Sequence, residues 1–185
     1  VRMLDNVVSR NYYPDREVEL RQRNRDRVAK LLEMNGIDNP ELLDDIMKLE
    51  TKEILLNIKN ANLRNRPLGI GVQGLADAIA KLDYTFDSDE AKDFNNRVSQ
   101  YLYYYAVEES ANIARELGSY SRFPGSPYSQ GILHPDKWVS PSGKRAILLP
   151  ELDWDSLREL VKGGIRNSTL IAYMPTATTS IIASN

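Results

Sequence analysis

Apolar residues along this chain recur mostly at helical intervals, and the intervals change character several times. Met3, Leu4, Val7 and Val8 fall at helical spacing, which predicts a first helix ending near Asn11, ahead of Pro14. From Asp15 to Asn62 charges of both signs alternate with apolar positions. Asn39-Pro40 supplies an N-cap and a first-turn proline for a helix whose apolar stripe runs Leu43, Met47, Ile54 and Ile58. Gly36 separates it from an earlier helix around Asp26–Met34, so this stretch reads as a helical hairpin.

Beyond Arg64 the pattern shifts again. Gly69, Gly71 and Gly74 precede a helix with Leu75, Ile79 and Leu82 on its buried face. Ser88 is a good N-cap for a long helix running to about Leu117, with Asp89 and Glu90 in its first turn and Gly118 as its stop. No regular period follows from Gly118 to Trp138. Glycine, proline, serine and tyrosine predict a long ordered loop there, anchored by Phe123, Tyr128, Leu133 and Trp138. Asp153 or Asp155 opens a short helix over Ser156–Val161, which runs into Gly163-Gly164.

The last twenty residues organise the rest. A polar turn at Arg166, Asn167 and Ser168 leads into a β-prone run, Thr169–Tyr173. Pro175 breaks the run, and Thr176, Thr178, Thr179 and Ser180 precede Ile181 and Ile182. This pattern predicts a strand passing directly into a helix. A hydroxyl-rich helix start presents unpaired N–H groups and a positive dipole end, which suits phosphate. A well-capped helix start without a ligand fits the same residues.

Composition narrows the chemistry. The 185 residues are 42% hydrophobic and 27% charged with a net charge of −2, the balance of a globular chain rather than a disordered one. No apolar run reaches the roughly 20 residues of a membrane helix, no signal peptide opens the chain, and a cytoplasmic setting is expected. There is no cysteine, which removes disulfides, thiolate metal sites and thiyl chemistry from what this chain does alone. A single histidine, His134, rules out a histidine-rich metal cluster and reads as a hydrogen-bonded surface residue.

Several local signals point the other way and fail. Gly69, Gly71 and Gly74 satisfy G-x-G-x-x-G, yet the fingerprint needs a hydrophobic strand before it, and Asn62–Pro67 is polar. The glycines fit better as close packing of a helix on a neighbour. The basic cluster Arg16, Arg21, Arg23, Arg25 and Arg27 is offset by Asp15, Glu17, Glu19 and Asp26, so a solvated helix face outweighs nucleic-acid binding. Tyr101, Tyr104, Tyr105 and Glu108 lie at helical spacings, and a packed aromatic stripe is far commoner than a redox tyrosine.

Taken together, five stretches resemble one family, the large catalytic subunit of class I ribonucleotide reductase. They are NYYP (Asn11–Pro14), RPLGIGVQGLAD (Arg66–Asp77), GSYSRFPGSPYSQGIL (Gly118–Leu133), LDWDSL (Leu152–Leu157) and GIRNSTLIAYMPTATTS (Gly164–Ser180). They come in the family's order and cover most of Arg66–Asn185. The resemblance implies an α/β fold, a segment of a ten-stranded α/β barrel, mostly helical in this portion. It also implies that Thr176, Ala177, Thr178, Thr179 and Ser180 hold the substrate's diphosphate. Ala177 would offer only its backbone N–H, whereas Thr178 and Thr179 add hydroxyl donors. Their role would be positioning rather than chemistry. The implied enzyme converts ribonucleoside diphosphates to deoxyribonucleotides by radical chemistry. Its partners would be the remaining large-subunit segments and a radical-generating small subunit that carries the metal centre, with no cofactor, nucleic acid or membrane bound by this segment.

The departures are informative. In the family a thiyl radical on a barrel cysteine takes a hydrogen from the ribose, and neither it nor the reducing cysteine pair can be present here. No catalytic residue is therefore assigned to this chain, and Tyr101–Tyr105 do not inherit the family's radical-relay role. The nucleotide specificity and activity sites are expected upstream. The hairpin reads as an insertion of roughly 35 to 40 residues near Arg16–Ile58, where a connection of about a dozen is ordinary. The domain reading is thus 1–14 barrel helix, 15–62 inserted hairpin and 63–185 barrel. Neither end reads as a natural terminus, so a split, intein-flanked or excised segment is expected, inactive and unstable alone. The alternative is a stand-alone, catalytically inactive interaction module derived from the enzyme.

Overall fold

The computed structural model describes residues 1–10, 17–37, 39–141, 143–176, 179 and 181, with side chains throughout these except at 17–24 and 48–55. Seven α-helices occur among them: α1 (Arg2–Arg10), α2 (Glu17–Met34), α3 (Pro40–Asn65), α4 (Leu75–Lys81), α5 (Asp89–Leu117), α6 (His134–Lys137) and α7 (Trp154–Lys162). One 3₁₀ turn lies at Tyr128–Gln130. The chain divides into two compact units, one of Val1–Val7 with Arg64–Asn185 and one of Val8–Leu63.

The smaller unit is a helical hairpin. Gly36 takes φ +71°, and the Ile37 N–H donates to the Leu32 carbonyl, the arrangement that closes a helix with a left-handed residue. Asn39 Oδ1 then accepts from the Leu42 N–H at 3.0 Å, capping α3 as its sequence predicts. Arg25 bridges to Asp44 at 2.9 Å. That pairing supports a solvated, charge-balanced face for the described part of the basic cluster; Arg16 lies outside the described residues, as do the side chains of Arg21 and Arg23. On α3, Leu43 is half-buried and Met47 buried, but Ile58 is 42% exposed, so the expected stripe does not continue to it. The Ile54 side chain lies outside the described residues.

The larger unit is built on α5. Ser88 Oγ accepts from the Ala91 N–H at 3.2 Å and Gly118 ends the helix, both as the caps predict. Its apolar face carries Val107 and Ile113 and packs on α7 through Leu157 and Val161, all essentially inaccessible to solvent. Each such side chain contributes about 1.5–3 kcal/mol by leaving water. Asp153 caps α7, its carboxylate accepting from the Ser156 N–H and hydroxyl. Asp155 lies inside the helix. In the 118–138 loop Leu133 is fully buried while Phe123 and Tyr128 are half-buried, but Trp138 is 54% exposed and is not the anchor its size suggests. It follows α6 directly, next to the antiparallel Val139–Arg145 bridge.

Two expectations need correcting. Met3 and Val7 on α1 are exposed, and the buried side chain of that helix is Asp5. On α4, Ile79 is buried but Leu82 is 44% exposed, because the helix stops at Lys81 and Leu82 lies in its C-terminal turn.

The glycine-rich stretch also behaves differently from a helix-packing motif. Residues 66–73 form no helix, and Ile70 makes a parallel bridge with Ile171. The Leu68 N–H donates to the Thr169 carbonyl, the Ile70 N–H to that of Leu170, and the Ala172 N–H to that of Ile70. A Cβ on Gly71 would stand 3.1 Å from the Ala172 carbonyl oxygen and 2.9 Å from Met174 Cε. Here the glycines admit a second extended backbone. The Thr169–Tyr173 run is extended as expected, but its pairing is this one bridge rather than a full strand. A parallel pair needs a long crossover, and α4, α5 and α7 with their loops supply it.

Candidate functional site

The segment ending in the hydroxyl-rich stretch is fixed at its start by a buried polar network. Asp5 Oδ1 accepts from Arg66 Nε at 2.7 Å and from Asn167 Nδ2 at 3.0 Å, and Arg166 Nε reaches Oδ2 at 3.3 Å. Arg66 Nη2 donates to the Asp5 carbonyl at 2.8 Å. Asn167 Nδ2 also donates to the Arg66 carbonyl, its Oδ1 accepts from the Ser110 hydroxyl at 2.8 Å, and its N–H donates to Ser110 Oγ. Asp5, Arg66, Ser110 and Asn167 are all buried. Burial alone pushes the Asp5 carboxyl up and is the largest single effect. The hydrogen bonds from Arg66 and Asn167 and the charges of Arg66 and Arg166 together outweigh it, holding the carboxyl below the ordinary carboxylate value.

Arg66 adopts φ +45°, a left-handed conformation that costs a non-glycine residue about 1–3 kcal/mol and persists where surrounding bonds over-determine it. The network does so here. Nothing in the local sequence marks these residues as partners. Asp5 reads as one polar position on an amphipathic helix, and only its burial reveals the role.

From Thr169 the chain carries no helix as far as Thr176, with its bridge to Ile70 at Ile171. Thr176 has φ +55°, and the Thr179 hydroxyl donates to its carbonyl at 3.2 Å. Thr179 and Ile181 are helical. These observations bring Thr176 and Thr179 together at the start of a helical turn. Ala177, Thr178 and Ser180 lie outside the described residues.

Beside the 168–173 segment is a cavity of about 610 Å³, with Tyr103, Tyr120, Tyr128, Trp154 and Leu170 in its wall. The tyrosines of α5 have structural partners. Tyr101 OH donates to Glu151, Tyr104 OH to the Asp153 carbonyl, and Tyr103 OH accepts from the His134 N–H. Tyr101 and Tyr105 stack with centroids 6.3 Å apart, and Tyr104 meets Trp154 edge-on at 5.4 Å. This is the packed aromatic stripe its spacing predicts. Burial raises the Tyr103 and Tyr128 phenols above their ordinary value, keeping both neutral. His134 is exposed, as expected of a surface histidine.

Among the described residues no group of three or more His, Cys, Asp or Glu side chains could hold a metal ion. No helix among them is long and apolar enough to cross a membrane.

The family description that matches the chain is the barrel domain of ribonucleotide reductase, and the match runs over residues 1–185. The chain belongs to that family. Relatives of this reductase barrel chain include ribonucleoside-diphosphate reductase large subunits from three distant eukaryotes. That of Arabidopsis thaliana is 48% identical over 129 residues, covering 69% of this chain and 15% of the relative. That of Caenorhabditis elegans is 41% identical over 170 residues, covering 82% and 21%. That of Plasmodium falciparum is 37% identical over 185 residues, covering 100% and 17%. The reductase barrel chain thus spans no more than 21% of the length of these three relatives.

Proposed function

We propose that the chain is part of a ribonucleoside-diphosphate reductase large subunit, which converts ribonucleotides to deoxyribonucleotides for DNA synthesis, and that it supplies the loop holding the substrate's diphosphate. The proposal places residues 63–185 in the wall of a ten-stranded α/β barrel, with residues 15–62 an inserted hairpin. The hydrogen-abstracting and reducing cysteines belong to other segments, and the metal centre to a separate radical-generating small subunit. Those segments and that subunit are the proposed partners, and the cytoplasm the proposed setting.

One observation carries the reading of the loop. The extended run that pairs with Ile70 passes through Pro175 into Thr176, and the chain is helical again at Thr179. A strand-to-helix turn of this kind directs N–H groups and a positive dipole end at an anion. Thr176, Thr178, Thr179 and Ser180 add hydroxyl donors, and Ala177 adds its N–H. These groups bind charge that the substrate carries throughout the reaction, so their loss raises KM more than it lowers kcat.

The test is the double variant Thr178→Val, Thr179→Val in the reductase reconstituted with its remaining segments and small subunit. The expected result is a raised KM for nucleoside diphosphates with assembly intact. An unchanged KM would refute the phosphate-loop assignment.

A further inference from the structure

The segment that leads into the hydroxyl-rich turn stops pairing its backbone well before the turn begins. Among the described residues, its last backbone hydrogen bond runs from the Ala172 N–H to the Ile70 carbonyl. Thr176, where φ reaches +55°, lies four residues further on. A left-handed conformation at a non-glycine residue persists where its surroundings hold it in place. Two successive side chains tie down the stretch in between.

The Tyr173 hydroxyl donates to Ser99 Oγ at 2.9 Å. Ser99 is half-buried in the body of α5, the helix on which the larger unit is built. The next side chain, Met174, covers Gly71, where a Cβ would stand 2.9 Å from Met174 Cε. Beyond these contacts the chain has little freedom. Pro175 holds its own φ near about −65° and restricts Met174, the residue before it, to the β and polyproline region. The stretch from Tyr173 to Thr176 therefore transmits position to the turn instead of absorbing it. Tyr173 is 58% exposed, so water replaces its hydrogen bond when that bond is lost, and folding stability depends little on it.

We propose that Tyr173 and Ser99 are a positioning pair for the diphosphate loop: their hydrogen bond fixes the entry of the turn against α5 and thereby aims the donors of Thr176–Ser180 at the substrate. The inference rests on the diphosphate-loop reading above. The pair acts through the loop, so its loss weakens a grip that is the same in the ground state and the transition state, and KM rather than kcat changes.

The test is steady-state kinetics of the reductase reconstituted with its remaining segments and small subunit. Tyr173→Phe and Ser99→Ala each remove one end of the bond. Each is expected to raise KM for nucleoside diphosphates by about three- to tenfold, with kcat within about twofold and the thermal midpoint of the assembly unchanged. The double variant should raise KM no further than either single one, because both delete the same bond. Ser99→Thr keeps a hydroxyl and should keep the wild-type KM. Thr178→Val, Thr179→Val is measured beside them. A raised KM in that variant with none in Tyr173→Phe would overturn the pair and leave the loop reading standing. No rise in either would mean that the loop reading has failed and the pair with it. Additive effects of Tyr173→Phe and Ser99→Ala, or a loss confined to kcat, would overturn the pair as well.

Discussion

Removing the Asp5 charge tests whether the buried network holds the larger unit together. Asp5→Asn keeps the side chain's shape, so packing changes little. An amide, however, has only one accepting oxygen. Asp5 presently accepts from Arg66 and Asn167 on one oxygen and from Arg166 on the other, with Arg66 and Asp5 side chains 5% and 2% exposed. In Asp5→Asn one of those donors faces an NH₂ group, and the buried Arg66 guanidinium loses its pairing with the Asp5 carboxylate. Breaking a buried pair by removing one partner costs about 3–5 kcal/mol. That is a large share of the roughly 5–15 kcal/mol by which domains are stable. Urea unfolding followed by far-ultraviolet circular dichroism, with Trp154 fluorescence as a second probe, measures the loss. The effect also has a signature in pH. Because the folded-state pKa of Asp5 is lowered, its stabilisation is fully present above the unfolded value near ~3.9 and fades as pH falls through the folded value. The gap between wild type and Asp5→Asn should therefore be constant at neutral pH and narrow below about pH 4. A loss under about 1 kcal/mol, or a gap that does not narrow in acid, would refute the reasoning.

Gly71→Ala should separate the paired extended segments, since the Ala172 carbonyl that the new methyl meets is backbone; overpacking of this kind costs about 1–3 kcal/mol, read as a lower urea midpoint. Ser88→Ala removes the α5 cap and should cost about 1 kcal/mol in the same assay, with no change in the network's acid response. Asp136 accepts from Arg158 at 2.6 Å and from the Leu133 N–H at 2.9 Å, and the Arg158 hydrogen bond holds its carboxyl below the ordinary value. Asp136→Asn should speed amide hydrogen exchange at Leu133 by tenfold or more while leaving exchange in the middle of α5 unchanged.

How much of this could be read from the chain depended on the range of the interaction involved. The α5 helix, its Ser88 cap, the Asn39 cap of α3 and the Gly36 turn were legible because each is decided within a few residues by hydrogen bonds and backbone freedom. The family was legible because its motifs occur in order. Burial at element ends was not. Leu82 and Trp138 carry apolar side chains at plausible positions, yet their exposure depends on where the neighbouring helix stops. Gly69 and Gly71 look alike whether they admit a helix or an extended segment, and the answer lay a hundred residues away at Ala172 and Met174. The phosphate reading of Thr176–Ser180 joins the sequence resemblance to the local backbone, of which Thr176 and Thr179 are among the described residues. Asp5, Arg66, Ser110 and Asn167 are ordinary polar residues in sequence. Only tertiary structure removes them from water together, and removal from water is what turns four polar side chains into one clamp.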